Sequence, residues 1–186
     1  MFLATLPQKV QQAIICFCES RGWYIQSYMD DKIVAASFNK FTKGDLDTLQ
    51  NDVLELGPLS KCCLPPSPKM TSKCRCEAEM RERTRLLSEA FGSEVSVGSS
   101  GIDVVEIMPL GVSKLTTLQK LCACYGILME ETVSCGDSGN DYEMITHSGL
   151  GCCMANGVPE LKKAAGYVCQ KEYSYGVLEV IERFFV

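Results

Sequence analysis

The sequence predicts an α/β protein in two parts: an α+β layer over residues 1–108 and a Rossmann-like parallel sheet over residues 109–186. Three observations carry this expectation. After Pro109, short apolar runs (TVSC, GLGCCMA, YVC) alternate with helical patterns, as they do in parallel sheets. Before it, paired strand patterns lie between helices. An apolar fraction of 46% in 186 residues supplies core for one large domain or two small ones.

Each element has its own signal. Val10, Ala13, Ile14 and Phe17 recur at helical spacing behind Pro7, a good first-turn residue, and Gly22 supplies the stop. WYIQSYM and IVAASF flank DDK, which reads as two strands around a tight turn at Asp30 and Asp31. KGDLDTLQNDVLELG reads as a helix with Leu46, Leu49, Val53 and Leu56 on one face. KCCL reads as a short strand and PPSP as a rigid loop. SKCRCEAEMRERTRLLSEAFG reads as one charged helix, followed by strands EVSV and IDVVEIM around GSSG. In the second part, SKLTTLQKLCACYG is a helix capped by Ser113, NDYEMITHSG a second, VPELKKAAG a third with proline at its start, and SYGVLEVIERFF a last.

A net charge of −5 argues against nucleic acid or an anionic membrane as partner, and no apolar run approaches a membrane span. The first eighteen residues lack the basic start and small-residue cleavage site of a signal peptide, so a cytoplasmic protein is expected. Twelve cysteines are present, with no C-x-x-C spacing. Cys62, Cys63, Cys74 and Cys76 are zinc candidates only at a spacing that matches no common ligand pattern. The alternative is reduced cysteines used as small hydrophobes.

Function concentrates in SCGDSGNDYEMI, residues Ser134 to Ile145. Asp137 follows an apolar strand and a glycine, where ligands bind in open parallel sheets. Asn140 and Asp141 open the next helix, where the dipole favours a carboxylate and anions meet free N–H groups. Hard oxygen donors with no nearby histidine suit Mg²⁺, although D-S-G-N-D is also good turn composition. Lys114 follows the Ser113 cap and opposes the dipole of its own helix. It reads either as a holder of phosphate or carboxylate, or as a solvated lysine.

EIMPLGVSK, GDSGNDYEM, GLGCCMANGVPELKKAAGYV and SYGVLEVIERF occur in this order and resemble the C-terminal half of the haloacid dehalogenase-like phosphatases. The resemblance points to the branch with a mixed α/β cap inserted late in the core, which includes Cof-type and sucrose-phosphate phosphatases. It covers Glu106 to Val186 specifically and residues 1–105, as a cap, only generally. It implies a Mg²⁺-dependent phosphomonoester hydrolase acting on small phosphorylated metabolites, sugar phosphates among them. Lys114 then resembles the lysine that balances charge on the phosphoryl group, Asp137 a Mg²⁺ ligand, and Asp141 the second acid supporting the metal or the lysine. Asn140 resembles a polar residue orienting phosphate and metal water, and Asn156, in MANG, a position at the site's mouth.

The same resemblance implies an Asp-x-Asp nucleophile at the end of an N-terminal strand, with a phosphate-binding Ser or Thr after another. This sequence begins within what resembles the cap. Asp45, Asp47 and Thr48 imitate the nucleophile motif but follow a polar stretch and share a helical stripe. Without that strand, TVSC is left with an open edge. The expectation is therefore a truncated or half-site form with little activity alone, prone to self-association or to pairing with a missing N-terminal lobe. The competing expectation is a non-catalytic module that holds Mg²⁺ or phosphate, or a partner protein, without turnover.

Overall fold

The computed structural model describes residues 4–49 and 52–186, residues 45–49 by their backbone alone. The chain forms two compact units, Met1–Val112 and Ser113–Val186.

In the first unit, α1 (Gln8–Glu19) begins directly after Pro7, and Val10, Ile14, Ile15 and Cys18 form its buried stripe. β1 (Gln26–Met29) and β2 (Lys32–Ala35) make a hairpin with Met29 opposite Lys32. Its two linking residues, Asp30 and Asp31, both hold positive φ, as a primed two-residue hairpin turn requires. α2 (Lys40–Leu49) starts at Asn39, whose side-chain oxygen accepts the Phe41 N–H at 2.9 Å.

Here the structure departs from the sequence-based expectation. The stretch read as one long helix ends at Leu49, and β3 (Val53–Glu55) pairs in parallel with β2. Val53 therefore lies on a strand. The side chains of Asp45, Leu46, Asp47, Thr48 and Leu49 lie outside the described residues, but their backbone is helical and not a strand end. KCCL is not a strand: Leu59–Lys61 form a 3-10 turn whose Leu59 and Ser60 N–H groups donate to Glu19. SKCRC is not the start of a helix either. β4 (Met70–Lys73) precedes α3 (Glu77–Phe91) and pairs with β1.

β5 (Val95–Gly98) and β6 (Val104–Pro109) complete a six-stranded sheet of order β3-β2-β1-β4-β6-β5. Register places Ser27, Val34, Met70 and Ile107 on one face. Val34, Met70 and Ile107 join Val10 and Ile14 of α1 and Leu87 of α3 in one apolar cluster. Phe17 meets Trp23 and Phe91 edge-on, at 5.9 and 5.4 Å between ring centres.

The second unit is a parallel sheet of order β7-β8-β9: β7 (Val133–Gly136), β8 (Leu150–Cys153) and β9 (Tyr167–Val168). α4 (Lys114–Tyr125), α5 (Tyr142–His147), α6 (Pro159–Ala164) and α7 (Tyr173–Phe184) alternate with these strands. α4 carries the cap the sequence announces: Ser113 Oγ accepts the Thr116 N–H at 3.1 Å, and Gly126 closes the helix in the left-handed region. β7 is an edge strand, paired only with β8 among the described strands.

All twelve cysteines are free thiols. Among the described residues no group of three or more His, Cys, Asp or Glu is arranged to hold a metal ion, Cys62, Cys63, Cys74 and Cys76 included. Burial instead pushes the Cys18 and Cys152 thiols up to about 12, as for cysteines serving as core hydrophobes. No described helix is long and apolar enough to cross a membrane.

Candidate functional site

The site grows from the carboxyl end of β7. Gly136 ends the strand, and a Cβ there would lie 2.5 Å from the Asp141 Cβ and 2.6 Å from its Cγ. Only glycine lets the Asp141 carboxylate lie against this backbone. The chain then turns through Asp137 and Ser138 into a 3-10 turn, Gly139–Asp141, that leads into α5.

Asp141 is buried, and its oxygens are used by the protein. Oδ2 accepts the N–H groups of Asp137 and Ser138, both at 3.0 Å, and Oδ1 pairs with Lys114 Nζ. Burial by itself raises the carboxyl's pKa. Lys114 and the two backbone N–H groups outweigh it, so Asp141 stays below the ordinary carboxylate range. The lysine that sits awkwardly in the first turn of α4 is thus answered by a carboxylate of the chain itself. About half of the Lys114 side chain is exposed, which leaves two ammonium hydrogens for an outside acceptor.

Asp137 is placed differently. Its Oδ1 accepts the Ser138 hydroxyl at 3.1 Å and its Oδ2 accepts the Asn156 amide at 2.7 Å. Each oxygen keeps one further lone pair, and the residue is half-buried. Asn156 is fixed in turn, because its Oδ1 accepts the Tyr173 N–H at 2.9 Å at the start of α7. The Met154–Val158 loop is tied to the same strand end, with Met154 N–H donating to the Gly136 carbonyl and Val158 N–H to that of Asp137.

The structure therefore brings Lys114, Asp137, Asp141 and Asn156 into one hydrogen-bonded chain. Asn140 lies beside them on the 3-10 turn, and its buried Oδ1 has no partner. His147 is exposed at the end of α5 and bonds only locally. Two features escape a reading of the residues alone: Asn156 steers Asp137 from nineteen residues away, and Asp141 braces the turn. The D-x-x-x-D spacing contains the second in principle, since a carboxylate three or four residues on can reach back to free N–H groups.

This donor set fits Mg²⁺. The ion takes oxygen ligands, is held by one or two carboxylates with substrate phosphate, and keeps much of its water. Asp137 offers the free lone pairs, and the orphaned Asn140 oxygen is an unused hydrogen-bond acceptor beside it.

Comparison with known proteins follows the same line. The sequence model of the family described as haloacid dehalogenase-like hydrolase matches residues 2–181. A phosphoglycolate phosphatase of Methanosarcina acetivorans is 36% identical over 101 residues, which are 54% of this chain and 44% of that protein. The 5-amino-6-(5-phospho-D-ribitylamino)uracil phosphatase YitU of Bacillus subtilis is 33% identical over 82 residues, 44% of this chain and 30% of its own length. The matched region thus spans less than half the length of these curated relatives. The crystal structure of a haloacid dehalogenase-like hydrolase from Bacteroides thetaiotaomicron superposes with a TM-score of 0.84 at 26% identity, covering 100% of this chain and 70% of that one.

Proposed function

Because the chain belongs to the haloacid dehalogenase-like hydrolases, we propose that Ser113–Val186 supplies the cation- and phosphate-holding half of a hydrolase site for small phosphorylated metabolites, with Met1–Val112 as its α+β cap. The observation that carries this reading is the division of labour between two carboxylates. Asp141 is consumed in holding Lys114 and the turn, while Asp137 stands at a strand end with lone pairs to spare.

In this reading Asp137 would hold Mg²⁺, with Asn140 beside it as an acceptor for the ion's water. The ion would supply charge neutralisation to a phosphoryl group. Lys114 adds its own positive charge and two free donors, Asp141 fixes where that ammonium points, and Asn156 fixes the rotamer of Asp137. The substrates of the relatives, phosphoglycolate and a phosphorylated ribitylaminouracil, support small phosphorylated metabolites as the class. Sugar phosphates belong to the same class.

What the described residues of Ser113–Val186 lack is a nucleophile: the residues after β7 are Asp137, Ser138 and Gly139, and none of β7, β8 or β9 ends in an Asp-x-Asp. A strand added in parallel along the open edge of β7 would end beside Asp137, and it is the only added strand that would. α7 also leaves Val177, Leu178 and Ile181 exposed. We therefore expect the chain to bind Mg²⁺ and to hydrolyse esters slowly or not at all until a lobe carrying that strand pairs with it. The alternative is a module that binds Mg²⁺ or phosphate without turnover, which the lack of a strand-end Asp-x-Asp among the described residues of Ser113–Val186 equally supports.

The test is thermal unfolding of the chain and of Asp137→Ala with and without Mg²⁺, beside turnover of an aryl phosphate. Stabilisation by Mg²⁺ that vanishes in the variant is expected, with little turnover in either. An identical shift in both proteins would remove Asp137 from the cation site. Fast turnover by the chain alone would reveal a nucleophile elsewhere and end the half-site reading.

A further inference from the structure

The first unit contains a groove of about 670 Å³ that no part of the phosphate chemistry uses. Its volume lies in the range of small-molecule sites, which are mostly apolar with a few fixed polar groups. It is lined by the proline loop Pro65, Pro66 and Pro68, here called its wall, by Tyr28 and Met108, and by Asp30 and Asp31 of the β1–β2 turn, here called its rim.

The wall is rigid for a stated reason. Ser67, at the centre of the prolines, is fully buried and bonded on every side. Its N–H donates to Gln11 Oε1 at 2.9 Å, and its carbonyl accepts the Leu6 N–H at 2.8 Å. Its hydroxyl lies 2.9 Å from the Tyr28 carbonyl and 2.6 Å from that of Lys69, and it accepts the Tyr28 N–H at 3.2 Å. Such a wall needs no ordering when a ligand arrives. Proline rings and a tyrosine face present flat apolar surface.

The rim is unusual in the opposite way. Asp30 and Asp31 have φ of 48° and 61°, where Asn-Gly would sit with less strain, and both carboxylates are exposed at the groove. The one lysine in the lining, Lys69, is already paired with Glu106 at 3.2 Å and lies 5.3 Å from the Tyr28 ring centre. The groove's uncompensated charge is therefore negative. A phosphate would be repelled, and a flat molecule bearing N–H donors would be held on two sides.

We propose that this groove binds the amino-substituted heteroaromatic ring of a small metabolite, stacked between the proline wall and Tyr28 and donating its amino hydrogens to Asp30 and Asp31. The inference stands on Met1–Val112 alone and does not depend on the phosphatase reading.

The experiment is amide NMR on the full chain titrated with 2,4-diaminopyrimidine, with unsubstituted pyrimidine and inorganic phosphate as comparisons. Saturable shifts are expected at Tyr28, Met29, Asp31 and Lys69 with the diamine, at least tenfold weaker binding with pyrimidine, and no shifts there with phosphate. The double variant Asp30→Asn with Asp31→Gly keeps a favourable hairpin turn while removing both carboxylates. It should bind the diamine at least tenfold more weakly with an intact spectrum. Absence of saturable shifts, equal binding of pyrimidine, shifts at these residues with phosphate, or unchanged affinity in the double variant would each overturn the proposal.

Discussion

Replacing Asp141 separates two effects that look inseparable in the sequence, a cap on a turn and an ion pair. The Asp141 carboxylate accepts two backbone N–H groups at 3.0 Å and pairs with Lys114. Hydrogen bonds to a charged group contribute about 1.5–3 kcal/mol each, and the half-buried turn favours the lower end, so the two N–H bonds contribute about 3 kcal/mol together. The Lys114 side chain is 49% exposed, which holds the ion pair to about 1 kcal/mol or less. Asp141→Ala should therefore cost about 4 kcal/mol, close to the whole stability of a unit of about 70 residues. Asp141→Asn keeps an oxygen for the N–H groups as a neutral acceptor and should cost about 2 kcal/mol. Lys114→Met leaves the cap intact and should cost about 1 kcal/mol at most. Urea unfolding followed by far-UV circular dichroism gives the ranking. Amide exchange at Asp137 and Ser138 reports the cap directly, and Trp23, the only tryptophan, reports Met1–Val112 separately. If Lys114→Met costs as much as Asp141→Asn, the ion pair and not the cap holds this turn, and the reasoning fails.

Other perturbations have a direction and a measurement. The folded pKa of Asp141 is depressed, so the stability it contributes is present above the unfolded value and is lost as pH falls through the folded one. An acid titration of the chain should show this loss, and Asp141→Asn should flatten it. Gly136→Ala places a Cβ 2.5 Å from that of Asp141 and should cost about 1–3 kcal/mol, with faster exchange at the Asp137 and Ser138 amides; a silent variant would show that the carboxylate does not need this close approach. In the first unit, Arg83 is buried, bonds Ser72 Oγ at 2.8 Å and the Lys73 carbonyl at 3.0 Å, pairs with Glu79, and leaves Nε unpartnered. Arg83→Met removes one partner of a buried pair and leaves the Glu79 carboxylate with Arg75 alone, so it should cost about 3 kcal/mol in urea unfolding; a change below about 1 kcal/mol would show that the network contributes little.

Most elements were legible because local chemistry and tertiary packing agreed. The Ser113 cap, the apolar stripe of α1 and the Asp30–Asp31 turn each appear where the residues place them. Two strands were hidden by opposite causes. β3 continues the helical spacing of Leu49, Val53 and Leu56, and three residues are too few for an alternation to show. β4 is a central strand, yet its middle residues are Thr71 and Ser72, nearly fully buried. They stay there because Ser72 Oγ donates to the Tyr24 carbonyl at 2.6 Å and accepts from Arg83, while Thr71 Oγ1 meets Tyr28 Oη at 3.3 Å. A hydropathy pattern reads such a strand as solvent-facing, and only the partners, ten to fifty residues away, reveal otherwise.

The two carboxylates of GDSGND show the same limit at finer scale. Residue type and spacing present Asp137 and Asp141 as equals, a pair of oxygen ligands around one ion. Hydrogen-bond accounting makes them unequal. One Asp141 oxygen is filled by two backbone donors, the other faces a lysine, and the side chain is almost out of reach of solvent. Asp137 keeps a lone pair on each oxygen and is aimed by Asn156 from the loop after β8. A site that asks one carboxylate to hold the backbone can leave the other free to meet a cation. That asymmetry lies in donors and acceptors spread over Lys114, Ser138 and Asn156, and no reading of the six-residue motif alone contains it.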